Sequence, residues 1–134
     1  MAIRVESSSA VPIYEQIADQ IVFAVATADL QPGDPVPSVR DLSVQLTVNP
    51  NTVVRAYQEL ERMGVIEPVR GRGMFITADA AKTCRDRRKE LIRDTVKATV
   101  REAVSAGLTA DDLHALIDAE WPHPARNGRG ERRA

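Results

Sequence analysis

The stretch PSVRDLSVQLTVNPNTVVRAYQELERMGVIEPVRGRGMFI, residues 37–76, decides the fold. Ser38 is a good helix N-cap, and Asp41 three positions on is the partner for a short form of the capping box. Val39, Leu42 and Leu46 then share one face, Arg40 and Gln45 take the other, and Thr47-Val48 makes a turn. Asn49 caps the next helix and Pro50 occupies its first position, where a missing N–H costs nothing. Gly64 stands where a left-handed C-terminal residue is wanted. Between these ends Val53, Ala56, Tyr57, Leu60 and Met63 form an inward stripe, and Asn51, Arg55, Gln58 and Arg62 follow the outward one. Val65 to Val69 and Met74 to Thr77 are β-prone segments around Arg70-Gly71-Arg72-Gly73, which reads as a hairpin. Two helices joined by a few residues and followed by a hairpin describe a winged helix-turn-helix. In that arrangement the N-terminal half of the second helix presents polar groups to base edges.

Working outward from this stretch, Ile13, Ile17, Ile21, Ala24 and Ala28 recur at helical spacing with Val25 beside them. They predict a helix from about Pro12 to Ala28 with Pro12 in its first turn. Residues 31–37 are dense in turn formers and deliver the chain to Ser38. Past Ala78, Leu91, Ile92, Val96, Val100 and Val104 repeat at intervals of about four, predicting a helix from Ala80 to Ser105 before Gly107. Thr109 caps a shorter helix carrying Leu113, Leu116 and Ile117, with Trp121 at its end before Pro122. The expected class is mainly α with a small β-hairpin: a winged helix-turn-helix over residues 1–78 and a short all-helical dimerisation region over 79–121. Residues 122–134 are expected to be a disordered tail.

The chain of 134 residues is 43% hydrophobic and 28% charged, enough for one ordinary domain or a small domain with a helical appendage. No apolar run approaches the roughly eighteen residues a membrane helix needs, and no secretory signal is evident, so a soluble cytoplasmic protein is expected. The single cysteine, Cys84, has no partner for a disulfide and no zinc-type spacing, and it reads as incidental. A net charge of -1 argues weakly against nucleic-acid binding, yet distribution matters more than the sum. Up to Ala78 the positive residues are Arg4, Arg40, Arg55, Arg62, Arg70 and Arg72, and four of these fall where a winged helix meets phosphate or bases. So few charges imply modest nonspecific affinity and a shallow salt dependence. His114 and His123, with Asp111, Asp112, Asp118 and Glu120, match no metal-ligand spacing, so no metal or cofactor is expected. No nucleophile elbow, phosphate loop or catalytic carboxylate pair can be placed, and an enzyme is not expected.

The candidate DNA-contacting residues are Ser38, Arg40, Asn49, Asn51, Thr52, Arg55, Arg70, Gly71 and Arg72. Arg40 reads as a phosphate or guanine contact against a plain solvated charge. For Arg55 the rival to base or phosphate contact is an ion pair with Glu59 at i+4. Asn51 competes with itself as a local hydrogen-bonder in the first turn. Val54 either covers a thymine methyl or is simply half-buried. Arg72 fits a minor-groove contact better than a solvated hairpin charge. Tyr14, Tyr57, Phe23 and Phe75 are expected to pack in the core. The run Lys82, Arg85, Arg87, Arg88 and Lys89, interrupted by Asp86, reads as a solvated helix face.

These residues resemble the GntR family of bacterial regulators, and particularly its YtrA-type subfamily. The resemblance rests on Pro12-Ile13-Tyr14 with Gln16-Ile17 and Gln20-Ile21, Pro32-Gly33-Asp34, and Pro37-Ser38 with Arg40. It continues through Val48-Asn49-Pro50-Asn51-Thr52-Val53, Arg55-Ala56-Tyr57, Leu60-Glu61 with Gly64, and Gly71-Arg72-Gly73 with Phe75. It implies that Arg40, the start of the third helix and the wing glycines contact operator DNA. It also implies that two copies bind an inverted repeat and that the regulated genes include a transporter operon. Asp29, Val36 and Thr47 stand where the family often has Gly, Leu and Gly, so the turn at Thr47 is expected to be strained. Pro50 and Val54 stand where many relatives outside the subfamily carry arginine, which leaves Asn51, Thr52 and Arg55 to supply the polar readout. The dimer interface is expected at Leu91, Ile92, Val96, Val100, Val104, Leu113, Leu116 and Trp121, since neither C-terminal helix can bury such a stripe alone. A small-molecule effector at that interface is compatible with this reading. The alternative is a winged helix that serves as a protein-interaction module, its helical tail clamping an oligomer.

Overall fold

A computed structural model describes residues 2–123 of the chain. The element order is α1 (Ile13–Ala26), α2 (Val39–Leu46), α3 (Pro50–Arg62), β1 (Ile66–Val69), β2 (Gly73–Ile76), α4 (Ala80–Ser105) and α5 (Ala110–Glu120). Two compact units emerge, Met1–Arg93 and Asp94–Ala134. Of the tail expected over residues 122–134, the part from residue 124 onward lies outside the described residues.

In the first unit α3 is the central element, packed against α1, α2 and β1. Ile17, Ile21, Leu42, Val53, Ala56, Leu60, Val65 and Ile66 are all buried there, so the periodic stripes of three helices and the first strand meet in one core. Ala80 and Cys84, from the first turns of α4, belong to the same cluster. Cys84 is thus a core residue rather than an incidental one, and burial pushes its thiol up to about 11, which keeps it neutral.

The helix ends follow from local chemistry. Ser38 Oγ accepts from the Asp41 N–H at 3.0 Å, and Asn49 Oδ1 accepts from the Asn51 N–H at 2.8 Å, with Pro50 opening α3 as expected. Pro12 is the N-cap of α1 instead of a residue in its first turn: its ψ of 146° is extended, while its carbonyl already accepts from Gln16 N. The far end of α1 also comes early, at Ala26, because Ala28 turns left-handed (φ 64°) and the Asp29 and Leu30 N–H groups fold back onto Ala24 O. Thr47 closes α2 with φ 56° and ψ 50°, a left-handed conformation that costs a β-branched residue about 1–2 kcal/mol. That is the strain expected at this turn.

The hairpin pairs Ile66 with Ile76 and Val69 with Gly73 across the three-residue connection Arg70-Gly71-Arg72. Gly71 (φ 76°) and Gly73 (φ 106°) supply the positive φ that this tight connection requires. The turn-rich segment before α2 does more than deliver the chain. Pro35 bridges to Phe75, Val36 N–H donates to Met74 O at 3.0 Å, and Ile76 N–H donates to Asp34 O at 2.8 Å. This segment covers the second edge of β2 and ties the base of the wing to the entry of α2.

Two glutamines anchor the N-terminal segment. Gln16 Oε1 accepts from the Glu6 N–H at 2.8 Å, and Gln16 Nε2 donates to Glu6 O at 3.0 Å and Val11 O at 2.8 Å. Gln20 Oε1 accepts from the Arg4 N–H at 2.9 Å, and its Nε2 donates to Arg4 O. Each carboxamide stands in for a peptide group of a neighbouring strand and holds the segment that buries Ile3.

In the second unit α5 opens with a complete capping box: Thr109 Oγ1 accepts from Asp112 N–H at 3.1 Å while Asp112 Oδ2 accepts from Thr109 N–H at 2.8 Å. Those hydrogen bonds hold the Asp112 carboxyl below the usual carboxylate range. Val100, Ala103, Val104, Leu108, Leu113 and Ile117 line an apolar groove of about 260 Å³ between the end of α4 and α5. Among the described residues of this unit, Ala103 is the one buried hydrophobic side chain.

Candidate nucleic-acid interface

The start of α3 carries Asn51, Thr52 and Arg55, and the start of α1 carries Ile13 and Tyr14. Because α1 packs directly on α3, these two helix starts flank one open groove of about 440 Å³, lined also by Pro12 and Asn49. Asn51 and Arg55 are exposed and Thr52 is half-buried. Asn49 spends its carbonyl oxygen on capping α3, and Ser38 spends its hydroxyl on capping α2, so both have a defined structural duty. Ser38, Arg40, Arg70, Gly71 and Arg72 are exposed but do not line this groove. Four of the nine candidates, Asn49, Asn51, Thr52 and Arg55, are therefore brought together there, and the other five stand at the start of α2 and at the hairpin tip.

Arg55 does not make the ion pair with Glu59 that its spacing allowed. Glu59 is engaged by Arg62, whose Nε donates to Glu59 Oε1 at 3.2 Å and whose second guanidinium nitrogen closes the pair. The hydrogen bond from Arg62 holds the Glu59 carboxyl below its ordinary range. Arg55 instead lies over the Tyr14 ring, with its Cζ 4.0 Å from the centroid. Along the outward face of α3 the exposed residues run Asn51, Val54, Arg55, Gln58, Glu61 and Arg62, so Val54 is an apolar step in a polar stripe.

Of the four aromatics expected in the core, only Tyr57 is buried. Its hydroxyl donates to Pro37 O at 2.7 Å, fixing the approach to α2, and burial raises the phenol far above its usual range. Tyr14 and Phe75 are half-buried beneath Arg55 and Arg72, the latter at 5.5 Å from the ring centroid. Phe23 is 46% exposed, because it lies two positions from Ile21 and points about 200° away from the buried stripe of α1. Arg88 covers it at 4.5 Å. The basic run at the start of α4 is accordingly not a purely solvated face. Arg88 packs on α1, Arg87 lies close enough to Asp19 to lower its carboxyl, and Lys82 pairs with Asp86 at 2.8 Å. Burial outweighs the arginines at Asp19 and leaves its carboxyl above the usual range.

Sequence reasoning missed Tyr14 as a platform and Gln16 and Gln20 as anchors of the N-terminal segment. The signal available was their placement around α1: Gln16 and Gln20 lie one turn apart along one edge of the buried stripe, and Tyr14 stands in line with Ile17 and Ile21 at the exposed start of the helix.

Residues 13–76 match the model of the bacterial regulatory proteins of the gntR family. YhcF of Bacillus subtilis, an uncharacterized HTH-type transcriptional regulator, is 42% identical over 105 residues, covering 78% of this chain and 86% of its own. The HTH-type transcriptional repressor YtrA of the same organism is 40% identical over 115 residues, covering 86% and 88%. A GntR family transcriptional regulator from Listeria monocytogenes superimposes with a TM-score of 0.72 at 30% identity, covering 87% of this chain and 100% of that one. With the winged helix, the helical C-terminal region and similarity along nearly the whole length of short relatives such as YtrA, the chain belongs to the GntR family of helix-turn-helix transcriptional regulators.

Proposed function

We propose that the protein is a homodimeric, cytoplasmic repressor that binds an inverted-repeat operator and blocks a promoter, with a transporter operon as the regulated set. The observation that carries the reading is the exposed polar N-terminal half of α3, where Asn51, Thr52 and Arg55 share one groove and Arg55 has no carboxylate partner among the described ion pairs. Asn51 and Gln58 carry the carboxamides suited to adenine, Val54 offers methyls to thymine, and Arg40 and Arg72 meet phosphate and the minor groove. The relative YtrA is a repressor, which favours repression over activation.

Dimerisation is supported by the apolar residues left in solvent along α4 and α5. Ile92, Val96, Val104, Leu116 and Trp121 are 49%, 52%, 70%, 58% and 63% exposed. Val100 is exposed too, while Leu91 and Leu113 are half-buried. A second copy would remove them from water and set two α3 helices about one DNA turn apart, or a multiple of it.

The test is fluorescence anisotropy of the purified protein on its own upstream DNA and on a random duplex of equal length, across several salt concentrations. Arg55→Ala is expected to cost about 1–3 kcal/mol on the cognate duplex and to relax specificity, and Arg40→Ala to weaken both duplexes alike. Equal binding of both duplexes by the wild type would favour the protein-interaction reading instead.

A further inference from the structure

We propose that Tyr14 is a positioning residue for DNA recognition: its ring is the platform that holds the Arg55 guanidinium in the groove at the start of α3. The inference rests on the DNA-binding reading above and deepens it. Tyr14 belongs to α1 and is packed against the hydrophobic core, whereas Arg55 is exposed on α3, so the stack joins a fixed ring to an otherwise mobile side chain. The Cζ-to-centroid distance of 4.0 Å is the shortest of the three arginine-on-ring contacts among the described residues. Two features leave the pair to one another. Glu59, the carboxylate one turn along α3, is engaged by Arg62, and the Tyr14 hydroxyl is turned toward Glu15 Oε1 at 3.3 Å.

Stacking uses the face of a guanidinium and leaves its N–H donors pointing outward in the plane, the geometry that bidentate contact with guanine or phosphate needs. An arginine free in solvent gives up rotamer freedom when it docks. One already laid on a ring has given up much of it before DNA arrives. Thr52 and Asn51 line the same groove, so the stack brings the single guanidinium of this helix start beside its two short polar side chains. The recognition surface thereby includes a residue of α1, far from α3 in sequence.

The experiment uses the full chain and a duplex selected from a random pool by the wild type. Tyr14→Leu is expected to weaken binding to that duplex roughly two- to fivefold, the scale of an exposed cation–π contact. Tyr14→Phe, which keeps the aromatic face, is expected to restore most of the loss. The deciding comparison is the double variant: on an Arg55→Ala background, Tyr14→Leu should cost nothing more. In the free protein, the Arg55 side-chain protons should show an upfield ring-current shift by NMR that Tyr14→Leu abolishes, with thermal melts reporting that each variant is folded. Selective wild-type binding with additive losses in the double variant, or an Arg55 spectrum indifferent to Tyr14, overturns the positioning role and leaves the DNA reading standing. A wild type that selects no duplex overturns both.

Discussion

The two units of this chain solve the burial problem in opposite ways. In Met1–Arg93 the large apolar side chains Ile17, Ile21, Leu42, Leu60, Ile66 and Ile76 disappear from solvent, drawn from helices and strands that cross in sequence. In Asp94–Ala134, Val96, Val100, Val104, Leu108, Leu116, Ile117 and Trp121 remain in solvent although α4 runs unbroken to Ser105 and α5 opens with a complete capping box. The difference separates local helix formation from completion of a core. A capping box starts α5 and the first unit's core anchors the first turns of α4, but burying a side chain of this kind is worth about 1.5–3 kcal/mol and needs a second surface. The first unit contains that surface; the second, on our reading, obtains it from another copy.

The sharpest way to break this comparison is Val104→Glu, which puts a charge where the partner is proposed to pack. Sedimentation velocity should show a monomer, and operator affinity should fall about 10²–10⁴-fold as the second reader is lost, with the first unit still folded. A dimer that persists would place the interface elsewhere. Next in size, Leu60→Ala should cost the first unit about 2–5 kcal/mol in urea unfolding, since Leu60 is fully buried in a core closed by its own elements. A loss well under 1 kcal/mol would show that this core is looser than its burial implies. Thr47→Gly should act the other way and stabilise the first unit by about 0.5–1 kcal/mol, the relief of a left-handed threonine less the entropy that glycine loses on folding. Differential scanning calorimetry would read it as a higher Tm.

The smallest expected effect is a divergence of the two units with pH. The Asp112 carboxyl is depressed by its hydrogen bonds to Thr109, so its contribution is present above the unfolded aspartate value of about 3.9 and lost as pH falls through the lower folded value. Asp19 is raised by burial. Its ionisation therefore opposes folding at neutral pH, and that cost is relieved as pH falls through its elevated value. Acidification from neutrality should first ease the first unit slightly and only later fray the start of α5. Residue-resolved amide exchange between about pH 6 and pH 3 would detect that order, and destabilisation of the first unit at the onset of acidification would contradict it.

Much of this was legible from short-range chemistry. Asn49-Pro50 and Gly64 mark α3 at both ends, and Thr109 with Asp112 marks the start of α5, because caps act within one turn. The span Ala80–Ser105 followed in the same way from periodicity and the glycine after it. What escaped depends on contacts distant in sequence. The pairing of residues 33–36 with β2, the core role of Cys84 and the Arg55–Tyr14 stack each join elements whose meeting no local pattern announces. Phe23 is different. Its position relative to Ile17 and Ile21 already excludes it from the inward stripe, so helical angle rather than hydrophobicity decides its burial. The candidate site was legible as a set of exposed side chains at helix starts, but not the companion of each. Glu59 had two arginines within reach, and tertiary packing decided between them.

The anchoring of the N-terminal segment by Gln16 and Gln20 makes the fold sensitive to the exchange of a single group of atoms. Deamidation of either residue replaces an NH₂ donor with an oxygen facing a backbone carbonyl, the Glu6 and Val11 oxygens for Gln16 and the Arg4 oxygen for Gln20. Attraction becomes repulsion with almost no change of shape. An ageing preparation would thus shed its N-terminal segment and uncover Ile3 by slow chemistry, without any cleavage of the chain.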